Sequence, residues 1–419
     1  MVFIKRVGIV THYYKSNNYG GNLQAFALAH FINSLKGFKA EQICFSFIKG
    51  EEPLNNKKKK NISSHYSEKN SSLSHKCIFL FTHPFLSIRK LKRNSKKCFS
   101  RLTIKNRCSR FVNKLYFQRF EMRNNAILYF NQEIIPHSSV VYNENTICNS
   151  NTCYDIFITG SDQVWSGCSN AFMLGFVEDK KKISYAASIA RKEITKHHSD
   201  YMKMKLHDYF AISVRDETDK NIVSQITDKN VEIVLDPVFL LNKDEWNKLA
   251  TSRLEHEKDY VFCYFLGDCS KYKKIVSKFA NKKRLKIISI PHFVDNENRV
   301  IRSDILFGDI KKYDVSPADF VSLIREAKYV FTDSFHAVVF SIIYHKEFFA
   351  FDRVSKYGIM NSRIINLLGQ FDLLERYYCE ENSKSISFFL ESNEIEYDQC
   401  EEKLESEKNK SIRFLLNNL

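Results

Sequence analysis

The sequence predicts an α/β protein of two units, each built around a mostly parallel sheet. Short apolar runs at residues 7–10, 156–158 and 329–331 have the length of buried strands. Segments with helical apolar spacing stand between such runs, the signature of strands joined by crossover helices. A chain of 419 residues exceeds what one hydrophobic core usually organises, so two domains are expected, at residues 1–241 and 260–395.

The first strand is residues 7–10. A polar loop, residues 16–24, leads into a helix over 23–35, where Leu23, Phe26, Ala27, His30, Phe31 and Leu35 recur at helical spacing. Gly37 ends that helix, and residues 40–45 form the next strand. Residues 55–74, rich in Lys, Asn and Ser, read as a loop, and residues 86–129 as basic and helical. Strands are expected again at 156–158, 182–187, 211–214 and 231–235, after which Asp236 and Pro237 make a turn. Residues 239–250 and the polar run 251–259 read as a domain link, with the boundary inside 242–259. The second unit opens with strands at 260–266, 286–290 and 329–332. Residues 400–419 carry Leu404, Ile412, Phe414, Leu415 and Leu416 at amphipathic spacing, a helix that can cross back onto the first unit.

Composition narrows the class. Apolar content of 44% with 35 Phe describes a well-cored globular chain, not a disordered one. The 11 cysteines form no C-x-x-C pair and no zinc-ligand spacing, which argues for reduced thiols in a cytoplasmic protein and for no metal site. No secretory leader is visible at residues 1–10, and the best apolar run, 77–88, is interrupted by His83 and Pro84, too short to span a bilayer. The expected location is therefore cytoplasmic, peripheral to a membrane at most.

The net charge of +16 is unevenly placed. Residues 49–123 hold 20 Lys and Arg against 4 Glu and no Asp, so this segment, an expected basic insertion in the first domain, equals the net charge of the whole chain. Such a block is either a solvated insertion or a surface for an anionic partner. Phe79, Phe81, Phe85 and Ile88 beside Arg89, Lys90, Lys92 and Arg93 suit the face of an acidic membrane. Nucleic acid is not expected, because no reading module accompanies the charge.

Polar clusters directly behind three strands are the candidate site residues, since α/β enzymes hold ligands at strand ends. In the first, the amides of Gly20 and Gly21 at a helix start can receive an anion, and Asn17, Asn18 and Gln24 can bond sugar hydroxyls; a tight turn with an Asx cap explains the same residues. This is not a G-x-G-x-x-G fingerprint, and no nicotinamide cofactor is expected. In the second, residues 160–165 (GSDQVW), Ser161 and Asp162 either cap a following helix or face a cleft with Gln163, where Asp162 can take a proton from a hydroxyl; Trp165 offers an apolar platform or packs in the core. In the third, His336 lies ahead of an apolar helix in a turn crowded by Thr332, Asp333 and Ser334. Arg215, behind the strand 211–214, is placed to clamp a carboxylate or phosphate, or to pair with Asp216, Glu217 or Asp219.

Together, residues 16–25, 160–165 with 183–188, 213–216 and 332–337 resemble the motifs of the polysaccharide pyruvyl transferase family, over roughly residues 5–369. The resemblance implies two domains facing a cleft in the manner of glycosyltransferase B-type proteins. It also implies transfer of a pyruvyl ketal from phosphoenolpyruvate, as co-substrate, to a sugar of a surface polysaccharide or its lipid-linked precursor. Arg215 then holds phosphoenolpyruvate, His336 donates a proton and Asp162 is the base. Some members of the family carry an arginine where this chain has Ser334, which leaves Lys346, Arg353 or Arg363 to supply that clamp; Ala337 replaces the usual glycine. A glycosyltransferase using a nucleotide sugar, or a non-catalytic scaffold of polysaccharide synthesis held at a membrane, is the alternative.

Overall fold

The computed structural model describes residues 4–47, 98–250, 259–267, 269–294, 299–300, 302–355, 358–359, 362–379 and 386–419. Its first sheet has seven parallel strands: β1 (Lys5–Val10), β2 (Phe38–Phe45), β3 (His137–Tyr142), β4 (Ile156–Thr159), β5 (Lys181–Ala187), β6 (Ala211–Val214) and β7 (Val231–Ile233), in the order β3-β2-β1-β4-β5-β6-β7. The second has six: β8 (Val261–Tyr264), β9 (Ile287–Ser289), β10 (Ile310–Lys311), β11 (Tyr329–Thr332), β12 (Glu347–Phe351) and β13 (Tyr377–Tyr378), in the order β10-β9-β8-β11-β12-β13, again all parallel. Parallel strands need crossovers and have both faces covered, which is why β4 and most of β1 and β8 read as unbroken apolar runs and not as alternation.

Helix α1 (Tyr19–Ser34) starts a turn earlier than its apolar spacing suggests, because Asn18 caps it by accepting from the Gly21 amide. The basic segment lies largely outside the described residues. From Cys98 it is helical, as α2 (Cys98–Glu133). The expected link instead contains a capped helix, α3 (Lys243–Leu249), whose Trp246 is fully buried. The Trp246 indole donates to the Val238 carbonyl and packs against Phe26 of α1 and Phe340 of α4 (Phe335–Ile343), rings from the two units. A polar flank thus hides an anchor: truncating such a buried ring costs about 3–5 kcal/mol.

One core cluster joins the units, with Tyr19, Leu23 and Phe26 of α1 set among Phe320, Val338 and Phe340 of the second. The C-terminal helix α5 (Tyr397–Asn418) runs back to the first sheet, where Phe414, Leu415 and Leu419 pack beside Val7, Ile9 and Ile183. Lys5 and Lys181 hold its end through the Leu419 carbonyl oxygen. The two sheets are therefore held with the loops after β1, β4, β6 and β11 in contact.

Candidate active site

Those four loops, with Asp236 from behind β7 and Arg363 from the helix Ser362–Gln370, build one buried, charged cluster. Behind β4, Gly160 has φ of +151°, and a side chain there would overlap the carbonyl oxygen of Tyr185, so only glycine fits. The chain then continues as turns and not as a helix, so Ser161 and Asp162 are not caps. Ser161 Oγ donates to Asp236 Oδ2 at 2.8 Å. Asp162 accepts from Arg363 Nη1 at 2.8 Å and from Asn18 Nδ2 at 3.4 Å, with Arg215 Nη2 at 3.7 Å. Burial opposes ionisation of Asp162, but Arg363 and Arg215 outweigh it and hold the carboxyl down to about 2.

Arg215, at the end of β6, pairs with Asp236 at 3.0 Å and not with its sequence neighbours; Asp216 caps the next helix by accepting from the Asp219 amide. The Arg215 guanidinium lies 4.5 Å from the Phe335 ring and that of Arg363 5.9 Å from the same ring, so the two cations share one aromatic neighbour. Arg215 Nε and Nη2 are buried with no hydrogen-bond partner.

His336 enters from the first turn of α4. It is 5% exposed, with Nε2 3.8 Å from Asp236 Oδ2 and without a hydrogen bond. Gly20 makes room for it, since a methyl on Gly20 would overlap the ring at Nδ1. Burial lowers the affinity of His336 for a proton; Asp236 and Asp162 raise it, Arg215 and Arg363 lower it, and the balance keeps the imidazole neutral. His12, behind β1, is a second imidazole near Asp162, lowered by burial against the pull of that carboxylate.

The other expected residues divide. Asn17 is exposed and makes no polar contact among the described residues, Asn18 reaches Asp162, and Gly21 is engaged as the capped amide. Gln24 is fully buried, donating to Thr11 Oγ1 and the Gly21 carbonyl, and faces no cleft. Trp165 is fully buried in the core beside Tyr209 and offers no face to a sugar. Gln163 adopts φ of +58° in the turn, and Ser334 caps α4 only by its place in the chain, since its hydroxyl makes no cap bond. Asp333 accepts from the Leu266 and Gly267 amides and holds the loop after β8. Three members of the cluster went unmarked in sequence: Asp236, which read as a turn, His12 and Phe335. Arg363 stood there only as one of three substitutes, and of these it is the one ion-paired to Asp162. The cluster opens on a cavity of about 510 Å³ lined by Arg215, Asp236, Phe335, Arg363 and Gln370, with Lys410 from α5. No group of three metal-ligating side chains occurs among the described residues.

The sequence model of the polysaccharide pyruvyl transferase family matches residues 18–355, most of the chain and every residue of the cluster except His12 and Arg363. The chain belongs to the polysaccharide pyruvyl transferase family. No curated protein sequence matches it. Among solved structures it resembles the UDP-GlcNAc 2-epimerase of Neisseria meningitidis, at 9% identity, with 99% of this chain and 100% of that one covered and a TM-score of 0.52. A UDP-N-acetylglucosamine 2-epimerase from Listeria monocytogenes described as putative is also similar, at 11% identity, 94% and 92% covered, TM-score 0.44. At such identities the likeness speaks for the fold alone: this pyruvyl transferase family member has the glycosyltransferase B-like arrangement of two parallel-sheet units. Among the described residues, no helix is long and apolar enough to cross a membrane.

Proposed function

We propose that this chain transfers the pyruvyl group of phosphoenolpyruvate to two hydroxyls of one sugar in a polysaccharide or its precursor. Two C–O bonds to C2 form, the bond from C2 to the phosphate oxygen breaks, and C3 becomes a methyl. One hydroxyl proton ends on C3 and the other on the departing phosphate, so no further reactant is needed.

The observation that carries the reading is the unspent hydrogen-bonding capacity of the cluster: Nε and Nη2 of Arg215 and Nε2 of His336 are buried without a hydrogen bond, and Nη2 and Nε2 have only a carboxylate at 3.7 and 3.8 Å. A guanidinium fork suits phosphate or carboxylate. We assign the role of base to His336, where the sequence expectation gave it to Asp162. A carboxylate held at about 2 by two arginines is a weak base, so Asp162 orients Arg215 and Arg363 and favours the imidazolium as it forms. A neutral buried imidazole is the better acceptor of the hydroxyl proton, and His336 fills that role. Attachment to an acidic membrane through residues 49–123 accords with their charge, and most of that segment lies outside the described residues.

The test is phosphate release from phosphoenolpyruvate in the presence of saccharide acceptors, run beside nucleotide release from sugar nucleotides. Acceptor-dependent phosphate release supports the reading. Nucleotide release alone makes the protein a glycosyltransferase, and neither product leaves it a scaffold.

A further inference from the structure

A second set of cations lies outside that cluster, on the face of α2 toward the second unit. Arg119 and Arg123 stand four residues apart, neighbours on one helical face. Arg119 lies 4.3 Å from the Tyr313 ring, and Arg123 lies 4.7 Å from the Phe293 ring. Arg123 is only 7% exposed, and its Nε and Nη2 have no hydrogen-bond partner.

This arrangement is costly as it stands. A buried charge normally keeps a counter-ion, and two like charges at this spacing repel. The nearby carboxylate, Asp304, is already committed to Lys273 at 2.7 Å and to the His292 amide at 3.0 Å. The rings of Phe293 and Tyr313 offset part of the desolvation but accept no hydrogen bond in the guanidinium plane. The two buried donor atoms on Arg123 suit an anion with several acceptor oxygens, such as a phosphoryl group.

Position supplies the rest. Tyr19, the first residue of α1, donates its hydroxyl to the Val315 carbonyl at 3.1 Å, two residues beyond the Tyr313 ring that carries Arg119, while its neighbour Gly20 touches His336. The Arg119–Arg123 pair and the reacting cluster are therefore joined through two neighbouring residues of α1. We propose that Arg119 and Arg123 bind a phosphoryl group carried by the acceptor sugar, as a phosphate or diphosphate substituent, while Arg215 and His336 serve the donor. This rests on the reading of the main site as a pyruvyl transfer centre, yet the pocket itself can be tested without turnover.

The experiment is calorimetric titration of the full chain with inorganic pyrophosphate, for wild type and for R123M, R123K, R119M and R215Q, alongside thermal melting without ligand. R123M should weaken pyrophosphate binding at least tenfold, R123K should restore part of it, and R123M should melt at or above the wild-type temperature, because an uncompensated buried charge is removed. Pyrophosphate affinity unchanged in R123M, or lost only in R215Q, overturns the proposal. So does R123M melting lower with affinity intact, which makes Arg123 a packing residue. Where transfer is measurable, R123M should raise KM for the acceptor and not for phosphoenolpyruvate. Comparing a sugar nucleotide with a lipid-diphosphate sugar then shows which source supplies the group. Loss of pyrophosphate binding in a chain without pyruvyl transfer would leave the pocket standing and remove only the reading of the main site.

Discussion

Two buried charge clusters, one in the cleft and one inside the second unit, have the same ingredients and opposite character. In the second unit Lys273 meets Asp304 at 2.7 Å and Ser303 at 2.8 Å, and the other Asp304 oxygen takes the His292 amide. That pair is closed. In the cleft, two arginines, two aspartates and a histidine interlock, yet Arg215 keeps two nitrogens and His336 one nitrogen without a hydrogen bond. Buried charge by itself therefore does not mark a site. Unspent hydrogen-bonding capacity does so only where several charged groups share it beside a cavity, since single buried atoms such as Trp165 Nε1 and Gln24 Oε1 also lack a hydrogen-bond partner in the core.

The sharpest way to break this comparison is to remove the open member. His336→Ala should lower turnover by roughly 10² to 10⁴, the range for a positioned acid or base, with a circular dichroism spectrum and melting temperature near wild type. Wild-type turnover in the variant would take His336 out of the chemistry. The matching change in the closed cluster is Lys273→Ala. It should cost about 3–5 kcal/mol of stability by leaving Asp304 buried and unpaired, while turnover per folded molecule holds. A fall in turnover at full folding would show that the pair is not merely structural.

Acid stability separates the clusters next. Asp162 is held at about 2, below its ordinary 3.8, so its contribution is complete above 3.8 and lost as pH falls toward 2, on the order of 2 kcal/mol in all. His336 is lowered, so the folded state resists its proton and stability also falls as pH drops below 6.5. The Lys273 pair works in the other direction, since burial raises Asp304 and its charged form is the less favoured one. Asp162→Asn should flatten the melting temperature between pH 4 and 2 relative to wild type. Parallel curves for the two proteins would deny Asp162 its ion pairs.

What the sequence disclosed follows from the range of the interactions involved. Strands flanked on both faces announce themselves as apolar runs, so β4, β6 and β11 were legible to within a residue. The short edge strands β10 and β13, of two residues each, carry no such signal. Polar turns behind strands marked Asp162, Arg215 and His336, which the fold brings together. Asp236 and Arg363 were obscure because their importance lies in partners 75 and 201 residues away, a separation no local pattern records. Gln24 misled for the converse reason, since a polar residue beside a motif looks available until the packing is known; Trp165, read as a platform or a core residue, is in the core, and both are fully buried. Trp246 sat in a stretch that read as a link, since one apolar residue among charges has no periodicity to reveal it.

The smallest expected effect is also the most discriminating for the open cluster. Arg215→Lys keeps the charge beside Asp236 and Asp162 but replaces a planar fork by a single ammonium. If the guanidinium is there to complete a structural network, the remaining ion pair at Asp236 should suffice and donor affinity should not move. If the bare Nε and Nη2 are there for the donor, two parallel hydrogen bonds become one, and affinity for phosphoenolpyruvate should fall roughly tenfold, about 1.4 kcal/mol. The measurement is titration of phosphoenolpyruvate into wild type and variant, with melting curves to confirm that the network survives. Lys273→Arg is the control: in a closed pair the added donors have nothing to meet, so donor affinity should stay at the wild-type value while stability shifts. Equal donor affinity in wild type and Arg215→Lys would make the cleft cluster as structural as the Lys273 pair and dissolve the distinction between them.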